Sequence, residues 1–351
     1  TGAFKESDFT IINPDNLVLS FTDDGTTATL TATRYNDVRT IMTVASKDST
    51  SYATPFDSAK DSSGNFLWSD HLAPHPDADY IVEHNIPLPS NNEAMPKFAG
   101  HSLTIGNWAY LPSGNNNPVT VGFDVEDLRL KGGCQIRVWS GEKTRNERGL
   151  FAYTIAGNIT IPEGETGRLQ PFGERLIVTA SALHGTGTLW LDTHNDCSLP
   201  FGYHELSAIN TDFKGRILAS VQNKDARNVP SEVNKVTVFV TDGRNLGGPL
   251  EAFRHDAIQF EQMSLLKVTN DVTIDQTNRG FLVKGTARLE ATAGTTLKLA
   301  TPLTLNGQLR KEGAGTLALA GKLRFGLNNS LSDVTAPTEG ANLIRVQAGS
   351  L

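Results

Sequence analysis

The densest group of carboxylates in this chain is Phe123-Asp124-Val125-Glu126-Asp127-Leu128. On a strand, Asp124 and Glu126 share one face, with Arg129 and Lys131 close behind. Carboxylates paired in this way act as acid and base on a glycosidic bond, and Asp124, Glu126 and Asp127 are the candidates for that role. With calcium and a basic residue they would instead support proton abstraction and elimination from a uronic acid. The same pattern also arises for solubility, because charge on outward strand positions prevents edge association. A second group is Asp192-Thr193-His194-Asn195-Asp196-Cys197. Asp192, His194 and Asp196 are metal-ligand types, but their spacing follows no standard zinc pattern. Asn/Asp clusters after strands make turns, so no metal or other cofactor is expected. His71, His75, Asp77 and Asp79 form a third group, set among prolines that suit a rigid wall over the end of the fold. Trp108, Tyr110 and Trp139 are placed to stack on sugar rings or to cover an apolar edge.

Other chemistries lack their signatures. No Gly-x-Ser-x-Gly elbow, phosphate loop or Cys-x-x-Cys pair is present. Gly243-Arg244-Asn245-Leu246-Gly247-Gly248-Pro249 has the glycines of a tight turn without the Lys-Ser/Thr a phosphate needs. A net charge of −7 argues against nucleic acid as a partner, which requires a basic field. No apolar run approaches the roughly 18–20 residues of a membrane helix.

The elements that must position these groups read as short strands. With 32 glycines and 16 prolines in 351 residues, turns are frequent and sustained helical periodicity is missing. Gly-x-Gly-Thr-Leu-x-Leu occurs at Gly185–Leu191 and again at Gly313–Leu319. A glycine turn leading into an alternating strand, repeated along a chain, is the mark of stacked coils that bury their apolar faces on one another. Leu297 to Leu317 spans 20 residues (317 − 297) and includes Leu303 and Leu309, which suggests three sides to a coil. The fold expected is all-β, a three-faced parallel β-helix over residues 98–351. Coils of about 20–25 residues would number about ten to twelve, giving a rod of about 50–60 Å. Residues 1–62 read as an N-terminal β element or cap. Within it, the strands 16–21 and 28–33 flank Asp24-Gly25, a hairpin signal, and 39–44 is a third strand. Residues 63–97 are an irregular, proline-rich lead-in. A β-sandwich pair is the competing architecture, disfavoured because its strands run longer. Cys134 and Cys197 lie 63 residues apart (197 − 134), or two to three coils, too far for a disulfide, and are expected as free thiols.

The segment Leu309-Arg310-Lys311-Glu312-Gly313-Ala314-Gly315-Thr316-Leu317-Ala318-Leu319 resembles the autotransporter-associated β-strand repeat, whose core reads Leu-x-Lys-x-Gly-x-Gly-Thr-Leu-x-Leu. Asn210-Thr211-Asp212-Phe213-Lys214-Gly215-Arg216-Ile217 is similar to its follow-on half. The first copy keeps Gly-x-Gly-Thr-Leu but has His184 in its lead-in. The resemblance implies a right-handed, pectin-lyase-like β-helix in a large bacterial surface or secreted protein, and it carries no catalytic residues. The first residues show no charged-then-apolar leader, which points to a leader already removed or to an excised piece, and the uncapped strand-like run at the end favours the expectation of an excised segment. The function expected is a non-catalytic, extracellular or cell-surface stalk or passenger segment whose flank loops contact a glycan or a cell-surface protein. The alternative is a polysaccharide lyase or glycoside hydrolase on the same scaffold, since fold does not decide function.

Overall fold

The computed structural model of the chain describes residues 17–23, 28–34, 40–43, 60, 63–82, 86–87, 97–106, 108–111, 121–131, 134–138, 151–171, 175–193, 202–221, 236–327, 330–332 and 343–350. The molecule is all-β, a parallel β-solenoid of about seven turns. Leu17–Asp23 and Ala28–Arg34 pair antiparallel, as expected of the hairpin strands on either side of Asp24-Gly25. Thr40–Thr43, by contrast, does not extend that hairpin. It pairs in parallel with Ala78–Val82, which in turn pairs with Ser102–Ile105.

The first ladder continues from Ser102–Ile105 through residues 127–130, 158–161 and 182–185. A second passes through Trp108–Leu111, Cys134–Val138, Thr166–Pro171, Thr188–Leu191 and Arg216–Ala219, then on to Leu323–Leu327. A third links Arg175–Thr179, Gly202–Leu206, Val236–Val240 and Ser264–Val268, and closes at Leu343–Val346. Val272–Ile274, Thr296–Leu299 and Thr316–Leu319 make a separate parallel set. Alternation along each strand sends one side chain inward and the next outward, so residues in register stack as continuous rows. One inward row is Ile217, Ile258, Phe281 and Leu303, all buried, with Phe281 stacked on Phe260 at 5.4 Å. Each such side chain contributes about 1.5–3 kcal/mol of burial.

The coils are fewer than the count of ten to twelve expected from leucine spacing. Leu303 to Leu323 is 20 residues (323 − 303), but Gly202 to Val236 is 34 (236 − 202) and Arg175 to Gly202 is 27 (202 − 175). The short repeat of the C-terminal turns does not extend back along the chain, because earlier corners carry insertions.

The structure also explains the repeated glycine motif. Gly185 and Gly313 adopt φ of 91° and 72°, and a Cβ on either would lie 2.1 Å or 2.3 Å from the carbonyl oxygen of Ile161 or Ala291 on the preceding turn. A side chain would therefore push the corners of adjacent turns apart. The two copies nevertheless occupy different corners. The first feeds the second ladder at Thr188–Leu191, and the other feeds the separate set at Thr316–Leu319. The motif thus encodes a type of corner and does not mark a fixed point in the turn. Gly313→Ala is expected to cost about 1–3 kcal/mol in urea unfolding. Gly164→Ala shares the positive φ (76°) but has open space around its Cβ, and should cost clearly less. Equal losses would show that backbone strain alone sets the penalty.

Lys311 of the second copy points inward and is fully buried. Its ammonium donates to the carbonyls of Glu312, Gly313 and Ala348 at 2.8, 2.5 and 2.7 Å, so it ties this corner to the last turn. Burial pulls its pKa down, partly opposed by the charge of Glu290.

Candidate functional site

The alternate rows of the first ladder bring Asp79 and Asp127, two of the carboxylates singled out in the sequence, into register with other polar side chains. In register, Asp79 stands beside Ser102, then Asp127, then Asn158. The neighbouring row runs Ile81, Thr104, Arg129, Thr160 and His184. Parallel pairing places each residue about 4.8 Å from the next. Residues scattered over a hundred positions thereby meet along one strip.

Hydrogen bonds connect the strip from turn to turn. Asp79 Oδ1 accepts from Ser102 Oγ at 2.5 Å and from His101 Nδ1 at 3.0 Å. Burial pushes the Asp79 carboxyl up. The bonds from Ser102 and His101, with the charge of Arg129, outweigh this and hold its pKa below the usual carboxylate value. Asp127 accepts from Arg129 Nε at 2.6 Å and from Thr160 Oγ1 at 2.8 Å. His184 Nε2 lies 3.4 Å from Asn158 Oδ1. Ser102 and His101 both bond to Asp79 and not to each other, so these three residues do not form a serine–histidine relay of the hydrolase kind.

The expected pairing of Asp124 with Glu126 on one face is not what the backbone does. Val125 pairs with Gly157 and Asp127 with Asn158, so Glu126 is the extra residue of a bulge. The bulge turns the strand from the third ladder into the first. Asp124 is left on one ladder, Asp127 on the next, and Glu126 exposed at the corner between them.

Asp192 is buried, its carboxylate paired with the guanidinium of Arg168 and accepting from Gln170 Nε2 at 2.9 Å. Arg168 also lies over the Trp190 ring at 4.3 Å. This carboxylate of metal-ligand type is thus engaged by a cation of the chain itself. His194, Asp196, Cys197 and Trp139 lie outside the described residues, and Trp108 and Tyr110 are described in backbone only. In the His71–Asp79 segment, His75 approaches Asp70 at 3.4 Å and its backbone N–H donates to Tyr80 Oη at 2.9 Å. Trp68, Tyr80 and Phe98 pack edge to face behind it, at 4.6 and 5.3 Å between neighbouring rings. Among the described residues no group of three or more His, Cys, Asp or Glu is placed to hold a metal.

His101, Ser102, Asn158, Thr160 and His184 were not legible as site residues, because a single strand shows nothing of its neighbours in register. The only available signal was polar residues on strands at outward positions, which is also the pattern of a solvated face. Comparison with known proteins adds no relative: no family model, curated protein or solved structure matches the chain.

Proposed function

We propose that the chain is a non-catalytic, rigid structural and adhesive segment of a bacterial cell-surface or secreted protein. On this reading its coil is the right-handed, three-faced helix of autotransporter-associated repeats, and it contacts a glycan or protein through its flank. The observation that carries the proposal is how outward charges are used. Lys267 pairs with Glu290 at 2.8 Å, Arg288 with Glu312 at 3.0 Å and Arg216 with Asp256 at 3.1 Å. Each pair bridges successive turns of the solenoid. Single surface pairs of this kind are worth little, but a series linking turn to turn stiffens a stack. A stiff rod with neutralised flanks suits a spacer.

The alternative enzyme reading draws on Asp79 and Asp127, two turns apart on one ladder and therefore about 10 Å apart at the backbone. That lies near the upper limit for an acid and base flanking a glycosidic bond. A screen of neutral and acidic polysaccharides for new reducing ends or unsaturated products separates the two. No turnover is expected, and small-angle scattering should show an elongated particle. Turnover that disappears in Asp79→Ala, Asp124→Ala, Glu126→Ala or Asp127→Ala would overturn the non-catalytic proposal.

A further inference from the structure

We infer that the first ladder's outward strip around Arg129, Asn158, Thr160 and His184 binds a neutral, hydroxyl-rich glycan strand laid along the solenoid axis. This rests on the adhesive reading above and names its binding face and ligand class.

Pre-organisation is the first argument. Thr160 Oγ1 holds Asp127, and Asp127 holds Arg129 by Nε alone. The two terminal nitrogens of Arg129 have no partner among the described residues, and its side chain is 38% exposed. A guanidinium fixed at one edge with the other edge free is built to donate outward in a set direction. On the third ladder, by contrast, Arg288 uses a terminal nitrogen on Glu312.

Repetition along the axis is the second. Asn158 is exposed one turn on from Asp127, and His184 lies one turn beyond Thr160 in the row of Arg129. Among the described residues the Asn158 amide nitrogen has no partner, and its carbonyl oxygen faces His184. Donors and acceptors therefore recur at about 4.8 Å. That interval is close to the rise of one sugar unit in an extended chain.

Charge selects the ligand. In the stretch 126–131, Glu126 and Asp127 are offset by Arg129 and Lys131. A polyanion needs a net basic field, which this balanced stretch lacks. Hydroxyl groups, each both donor and acceptor, match a mixed strip without charge.

The test is calorimetric titration of the whole chain with neutral oligosaccharides (cello-, malto- and N-acetylglucosamine oligomers) and with oligogalacturonate, at low and high salt. A neutral oligomer should bind with little salt dependence. The double variant Asn158→Ala/His184→Ala should weaken it about tenfold or more. Both residues lie on the surface, so the variant's urea midpoint should match that of the parent. Lys298→Ala, exposed on the separate strand set, should bind as the parent does. The inference is overturned if no neutral oligomer binds, if the double variant binds unchanged, or if only the acidic oligomer binds with steep salt dependence. Those results would leave the elongated shape and lack of turnover intact. Turnover of a bound neutral oligomer would support the strip while overturning the non-catalytic reading.

Discussion

Arg279→Met is expected to lose about 4 kcal/mol or more in urea unfolding. Arg279 is fully buried and has no carboxylate partner among the described residues. Its guanidinium donates instead to the carbonyls of Phe213, Gly215 and Gly248 at 2.8, 2.9 and 2.8 Å, and to Ala257 at 3.3 Å. These oxygens belong to successive turns, so one side chain ties them together. Burial pulls its pKa down to about 10, with the charge of Arg254 adding to the effect, so it remains protonated at neutral pH. Methionine fills much of the space but supplies no donor; the Phe213 carbonyl keeps the Gly248 N–H at 3.1 Å, while each of the others left unpaired costs about 1–3 kcal/mol. Lysine should recover only part of the loss, because a point charge cannot reproduce the planar fork. A Met variant within about 0.5 kcal/mol of the parent would mean that water satisfies those oxygens, and the account of this residue would fail. The glycines of the 243–249 turn take their meaning from the same group. A Cβ at Gly247 would lie 2.7 Å from the guanidinium carbon, and one at Gly248 would lie 1.8 Å from the Thr211 carbonyl.

Acid should destabilise the protein in a window set by His204. This residue is fully buried on the inward row between Ile177 and Val238. Its Nε2–H donates to the Asp192 carbonyl at 2.8 Å, and Nδ1 has no partner among the described residues. Burial lowers its pKa to about 4 from an ordinary value of 6.5, against the smaller opposing effect of that hydrogen bond. A histidine with a depressed folded pKa takes up a proton more readily when unfolded. Its contribution is therefore complete above about pH 6.5 and is lost as pH falls toward about 4. At about 1.4 kcal/mol per pH unit, the loss totals about 3–4 kcal/mol. His204→Gln keeps a donor near the same position and removes the titration. Urea midpoints between pH 7 and 4.5 should fall steeply for the parent and much less for the variant. Parallel curves would show that another group controls acid stability.

Much of the architecture was legible in the residues. Glycine-led corners, short alternating strands and inward leucines all follow from local chemistry, because a strand's period and a turn's φ depend on its own sequence. The antiparallel pairing of Leu17–Asp23 with Ala28–Arg34 was legible for the same reason. The number of turns was not. Leucine spacing from 289 to 323 describes the short C-terminal coils, whereas a corner insertion lengthens a coil without disturbing any strand.

The polar strip shows the same division at the level of chemistry. Asp127 could be recognised as a carboxylate on a strand, and its sequence neighbours suggested a partner in Asp124 or Glu126. A bulge at Glu126 sent those neighbours around a corner, and its actual partners are Arg129 and Thr160, the latter 33 positions on. Buried cations were missed for a related reason. Lys311 and Arg279 satisfy themselves on backbone carbonyls, which every residue has, so no complementary side chain announces them. Sequence by itself determined that the chain would wind, and which residues would turn inward, because periodicity and steric freedom are local properties. The tertiary structure decided which side chains meet, because register between turns depends on how many residues each intervening corner holds.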